Sequence, residues 1–308
     1  MPFQSYSGAD IARLNELAGL LRDFRAAFRD IVDSTGWTAA PGSPAERDQR
    51  AIAEDDLYVP GAELKITKLL FFYLLAASEQ IGGLAALYAA QEVVVPPAAL
   101  IRSAIEHCAH TLWIVQRPGE QIQGRLARAY IEELFSAEAA KLNSGLMLGK
   151  DDQQHLDEAA RYRALKREIE ASFPGELVYD ESQPVLRGQK MLRPEECVVW
   201  LFEFASRPMP EDLTRGVYGV FSNSTHPTLY AISRLWVRTE HNGQMTLTSA
   251  LSVDQHANEL LAALVAFYDT LSYVIDYHGW PRARHDQLTA DIEAVLPDMI
   301  VPPSAAGD

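Results

Sequence analysis

Apolar residues recur at helical spacing along most of this chain. In residues 9–32, Ile11, Leu14, Leu17, Leu21, Phe24, Phe28 and Ile31 fall three or four apart, which predicts an amphipathic helix with one buried face. Residues 35–59 lose that rhythm. The PGSP tetrapeptide and its polar surroundings predict a long loop. Residues 62–91 are apolar on nearly every side, as in a helix buried all round. Residues 96–118, PPAALIRSAIEHCAHTLWIVQRP, are helical between prolines. Pro96 and Pro97 suit a first turn, and Pro118-Gly119 ends the run. Further long helices are expected over 119–148 and 151–172, the second highly charged and closed by Phe173-Pro174-Gly175.

Residues 176–192 read as irregular. Shorter helices follow over 194–206 and 210–221, each with Pro near its start; SNSTHP at 222–227 breaks the pattern, and a helix resumes through Tyr230 and Ile232. The clear β signal is 235–249, LWVRTEHNGQMTLTS, where Leu235, Val237, Met245 and Leu247 alternate with polar residues about Asn242-Gly243. Asn-Gly supplies the two positive φ angles that a two-residue hairpin turn needs. Residues 254–277 and 281–296 return to helix. The expected fold class is all-α: one helical domain over 1–308. It comprises an N-terminal helix and loop (1–60), a core bundle (62–233), an inserted β-hairpin (235–249) and C-terminal helices (252–297).

The apolar run at 69–90 has the length of a membrane span. Glu79 and Gln80 stand at its middle, and a carboxylate at the bilayer centre costs about 3 kcal/mol. No other segment approaches spanning length in this reading. The run is therefore expected to be a core helix, with Glu79 paired inside or facing a cavity, and no membrane partner is implied. Composition agrees: 48% hydrophobic and 22% charged residues suit a soluble chain with a sizeable core. Two cysteines without a CxxC make no disulfide framework, and MPFQSYSGAD lacks the basic-then-apolar order of a secretory signal, so a reducing cytoplasm is the expected home.

Charge matters more. Lys and Arg number 27 against 42 Asp and Glu, a formal net charge of −15. Nucleic-acid binding draws on neutralised phosphates, so nucleic acid is not an expected partner. The basic clusters Arg125/Arg128 and Arg161/Arg163/Lys166/Arg167 are interleaved with acids and read as solvated helix faces.

Candidate chemistry concentrates in 96–118. At about 100° per residue, Arg102, Glu106, Ala109, His110 and Trp113 share one face. Ile101, Ile105, Cys108 and Leu112 form the adjacent apolar stripe, and His107 turns away. Arg102 and Glu106 are four apart and able to pair. A helix-surface pair, a buried structural pair and a functional pocket all fit them. Arg102 to His107 also matches the R-x4-H element of HEPN-type ribonucleases, in which Arg and His from a helix act on a phosphodiester. The acidic charge and the turn of His107 weigh against that match. HExxH and cysteine clusters are lacking, and position 109, three after Glu106, is Ala rather than the His of a di-iron Glu-x-x-His pair. No G-x-S-x-G elbow or Gly-rich phosphate loop is present, so neither a metal nor another cofactor is expected; Gly82-Gly83 reads as close helix packing.

Tyr218, Ser222 and His226 lie four apart in a second constellation, and line one face if the helix persists. His226 precedes Pro227, a position that disfavours helix, so it marks the helix end. There it caps terminal carbonyls, or it points with Ser222 into the bundle opposite Arg102 and Glu106.

The Arg102/Glu106 pair, Trp113, the following R-x-x-R-x-x-x-E helix (Arg125, Arg128, Glu132) and the Tyr218/Ser222/His226-Pro227 segment together resemble a group of uncharacterised bacterial proteins, many of them actinobacterial. That group is similar to the DUF5677-type helical families. The resemblance covers roughly 69–235; it implies an all-helical cytoplasmic protein and brings no established activity.

The leading expectation is a pocket for a small, anionic molecule with metal-independent acid/base chemistry. Glu106, His226 and Tyr218 would be catalytic, and Arg102, His110, Trp113 and Ser222 would bind substrate. Arg102 would hold the anion while Glu106 or His226 moves a proton. A non-catalytic interaction or regulatory module is the alternative, and a HEPN-like ribonuclease the second. Self-association as a homodimer stays open.

Overall fold

A computed structural model describes residues 6–91, 97–115, 121–181, 183–206, 208–226, 229, 233, 236–241, 244–249 and 252–297, with the strands in 236–249 described by their backbone alone. Ten helices carry the fold among these residues: α1 (Gly8–Thr35), α2 (Pro44–Ala53), α3 (Lys65–Ala90), α4 (Ala98–Val115), α5 (Ile122–Leu148), α6 (Gln153–Ser172), α7 (Pro194–Glu203), α8 (Glu211–Thr225), α9 (Val253–His278) and α10 (Ala283–Val295). The all-α bundle with an inserted hairpin is what the hydrophobic periodicity predicts. Local chemistry sets its boundaries. Ser7 caps α1 by accepting from the Asp10 N–H while Asp10 accepts from the Ser7 N–H. Asp152 caps α6 and Ser252 caps α9. Gly36 and Gly279, both at positive φ, end α1 and α9.

α4 is the central element. It packs against α3, α9, α7, α8 and α5. Ile101, Ile105, Cys108 and Leu112, its expected apolar stripe, are all at most 1% exposed. Polar ties lock the outer helices to this centre. Arg125 of α5 grips Asp48 of α2 through Nε at 2.8 Å and Nη2 at 2.7 Å. The Tyr277 hydroxyl of α9 donates to the same carboxylate at 2.9 Å. Lys65 of α3 sits between Glu133 of α5 at 2.5 Å and Glu168 of α6 at 3.0 Å.

The structure departs from the expected elements in five places. Residues 44–53 form α2 rather than loop; Ser43 accepts from the Glu46 N–H and Pro44 opens the first turn. Residues 176–192 are a three-stranded antiparallel meander, β1 (Leu177–Asp180), β2 (Gln183–Leu186) and β3 (Gln189–Lys190). Leu177 pairs with Leu186, and Leu186 is fully buried. α8 continues through Thr225 instead of breaking at Ser222. Glu79 is paired, but at the surface, with Arg25 and Arg29 of α1. Gly82 leaves the room in which the Arg25 side chain crosses α3. Finally, the run at 62–90 is matched by a second helix, Val253–His278, that is also long and apolar enough to cross a membrane.

The hairpin strands are β4 (Trp236–His241) and β5 (Gln244–Ser249), with His241 opposite Gln244. That register leaves a two-residue connection, as the Asn-Gly turn requires. Asn242 and Gly243 lie outside the described residues, as do Pro96, Pro118, Gly119, Pro227, Tyr230, Ile232 and Leu235.

Candidate functional site

The polar face of α4 meets two different neighbours. Near its start, Arg102 directs all three guanidinium nitrogens at protein acceptors. Nε donates to Glu106 Oε1 at 2.7 Å. Nη1 donates to Thr225 Oγ1 at 2.7 Å and Nη2 to the Tyr218 oxygen at 3.2 Å, both on α8. Tyr218 closes the ring by donating its hydroxyl proton to Glu106 Oε1 at 2.6 Å. Burial and the Glu106 charge push the Tyr218 phenol up to about 12. Arg102, Glu106 and Tyr218 therefore come together, and they satisfy one another.

One turn on from Glu106, His110 meets α5 instead of α8. Its Nδ1 lies 2.5 Å from Glu132 Oε1, so Nδ1 carries the proton that it shares with the carboxylate. The other oxygen, Oε2, accepts from the Tyr73 hydroxyl of α3 at 2.6 Å. The Tyr73 and His110 rings stack with centroids 5.4 Å apart. Glu132 is only 3% exposed, and a carboxylate so buried is tolerable because both oxygens are hydrogen-bonded. Burial works against the His110 imidazolium, but the hydrogen bond and charge of Glu132, aided by Glu106, outweigh it and raise its pKa above the usual value. Burial and the same carboxylate drive the Tyr73 phenol far up.

Tyr73 and Glu132 open onto a cleft of about 490 Å³ between α3, α5 and α6. Lys68, Leu69 and Phe72 of α3 line it, with Glu133 and Ser136 of α5 and Arg161, Leu165 and Glu168 of α6. This is the candidate site: a buried carboxylate between a phenol and an imidazole at the edge of a solvent-open cleft.

The remaining expected residues lie elsewhere. Trp113 is 3% exposed and belongs to the core. Ser222 is half-buried on α8, and its carbonyl accepts from the Thr225 hydroxyl at 2.7 Å. His226 is exposed and extended at the end of α8, so it does not join Arg102 and Glu106. His107 donates from Nδ1 to the Ser103 carbonyl at 2.5 Å, and burial lowers its pKa.

Sequence reasoning missed Tyr73 and Thr225 as contributors. It singled out Glu132 only through the R-x-x-R-x-x-x-E run, whose residues do three different things. Arg125 holds Asp48, Arg128 donates to the Ile114 carbonyl, and Glu132 holds His110. Among the described residues no group of three His, Cys, Asp or Glu side chains is placed to hold a metal ion. No family model matches the sequence, and no curated protein or solved structure matches it either.

Proposed function

We propose that this chain binds a small polar molecule in the α3–α5–α6 cleft and that Tyr73, Glu132 and His110 exchange a proton with it. One observation carries the reading: Glu132, almost wholly buried, joins Tyr73 to His110 while lining the cleft. The Tyr73 hydroxyl donates its hydrogen bond to Glu132, which leaves a phenol lone pair to accept from a ligand hydroxyl or amine. A ligand proton then passes to the Tyr73 oxygen as the Tyr73 proton passes to Glu132, and the His110 Nδ1–H steadies the carboxylate. Glu106 and Tyr218, expected to be catalytic, act in this reading through the electrostatics of His110 or in packing alone.

A ligand-detected NMR screen of small hydroxy acids, amino acids, amines and alcohols tests it. The expected result is at least one binder whose signal is lost in Tyr73→Phe and in Glu132→Gln. A library that yields no binder, or only binders indifferent to both substitutions, sinks the reading.

A second reading applies to the α4–α8 contact. All three Arg102 nitrogens are engaged by protein acceptors, which favours a clamp that specifies packing, as in a non-catalytic interaction module. The same engagement, with His107 turned onto its own helix, gives no support to ribonuclease chemistry.

A further inference from the structure

The charges around the cleft narrow what it would hold; this inference rests on the cleft being the binding site. Three carboxylates line it, and each is already engaged. Glu132 is held by Tyr73 and His110. Glu133 and Glu168 share the Lys65 ammonium, which is 12% exposed and lies over the Tyr130 ring. Two cations on the lining stand apart. Lys68 on α3 and Arg161 on α6 are exposed, and among the described residues neither forms an ion pair. They line the cleft from different helices in a chain of net charge −15, where most other arginines among the described residues have an acidic partner.

Apart from Tyr73 and Ser136, the rest of the lining is apolar. Leu69 and Leu165 form part of the walls, and Phe72 keeps 52% of its surface exposed there. A large aromatic surface left open at a concave site favours an apolar group. Arg102, the anion-binding residue expected from the sequence, already spends a hydrogen bond from each guanidinium nitrogen on protein acceptors and does not line the cleft, so that role passes to these two side chains.

We propose that the ligand is an amphipathic anion. Its carboxylate or phosphate would lie between Lys68 and Arg161, its apolar body against Leu69, Phe72 and Leu165, and a hydroxyl or amine would reach Tyr73. Arg161 presents a planar fork suited to either anion. Binding weakens as salt rises, because both cations are solvent-exposed.

Isothermal titration of the full chain with phenyl phosphate and phenylacetate separates the two anion sources; inorganic phosphate and benzyl alcohol supply each half alone. The expected result is that phenyl phosphate or phenylacetate binds at least tenfold more tightly than either half. The double variant Lys68→Ala/Arg161→Ala weakens that binding tenfold or more, and Phe72→Ala weakens it at least threefold. All three side chains are surface-exposed, so the variants fold. Equal affinity for inorganic phosphate and phenyl phosphate means an adventitious ion only and overturns the proposal. So does benzyl alcohol binding as tightly as the anions, or a double variant that binds like the wild type. A binder lost in Tyr73→Phe but indifferent to the double variant overturns the anion and leaves the cleft reading standing. With 4-hydroxyphenylacetate, which adds a hydroxyl for Tyr73, binding lost in the double variant but unchanged in Tyr73→Phe supports the anion and ends the proton relay.

Discussion

His110 and Glu132 lie 22 residues apart on different helices, yet their side chains meet at 2.5 Å. The carboxylate raises the pKa of the imidazole against the opposing effect of burial. A base held above its unfolded value stabilises the fold below that value, and the contribution is lost as pH rises through the folded pKa. The window therefore begins near the unfolded value of about 6.5 and extends upward. Glu132→Gln is expected to lower the His110 pKa and to flatten the decline in Tm across that window. An NMR titration of the His110 ring checks the first point and thermal denaturation across pH the second. An unmoved His110 pKa would refute the pairing.

Arg102→Ala removes two hydrogen bonds from α4 to α8 and one within α4, and leaves Glu106 with Tyr218 alone. Stability is expected to fall by about 1–3 kcal/mol in urea denaturation. Arg102→Lys should recover less than half, because a single ammonium does not reproduce the planar fork. A Tm equal to the wild type for Arg102→Ala would end the clamp reading.

Asp269 on α9 is 4% exposed, and burial lifts its carboxyl to about 6, against the opposing Ser206 hydrogen bonds. The Ser206 N–H donates to it at 3.0 Å. An acid whose folded pKa exceeds its unfolded value costs stability as pH rises between the two, here from 3.8 to about 6, and the cost persists above. Asp269→Asn keeps an acceptor for Ser206 and removes the charge. It is expected to stabilise the protein by about 1–3 kcal/mol near neutrality, with the gain vanishing below the unfolded pKa. Denaturation at two pH values decides; destabilisation at neutral pH refutes it.

Gly82 and Gly279 should respond differently to alanine. At Gly279, φ is +68°, and a Cβ would lie 2.9 Å from Ser43 Cβ and 3.2 Å from Ala40 Cβ. Strain and overlap together should cost at least about 1–2 kcal/mol. At Gly82 the added Cβ meets only the movable end of Arg25. The gain in helix propensity, about 1 kcal/mol, should offset the loss of the exposed Arg25–Glu79 pair. Equal losses in thermal melts of the two variants would contradict this account.

The helices were legible because burial imposes a period, and α4 shows it plainly. α2 was missed although its signals, Ser43 before Pro44 and Glu46 in the first turn, are present; the PGSP turn and the polar sequence outweighed them. β1–β3 were missed because each is four residues or shorter, and the buried Pro184 and Leu186 of β2 set too brief an alternation to read as a strand. Within the site, the Arg102/Glu106 pair was readable because an offset of four within one helix aligns it. The bond from His110 to Glu132 was not. It depends on the rotation of α5 against α4, which no spacing within either helix records. His226 shows the converse: its offset from Tyr218 is helical, but the helix stops one residue before it.

Arg128 gives α4 and α5 a shared fate. Its guanidinium, 1% exposed, donates from Nε at 3.2 Å and Nη2 at 2.9 Å to the carbonyl of Ile114 in the last turn of α4. The last carbonyls of a helix lack partners within that helix, and this one receives a cation from its neighbour. Nη1 of the same side chain reaches Gln189 of the meander at 3.3 Å. Fraying α4 from its C-terminal end would take two hydrogen bonds from a buried charge, and withdrawing α5 would take them from a buried carbonyl. The two helices and β3 should therefore open as a single cooperative unit, and their amides should share one free energy of exchange with deuterium.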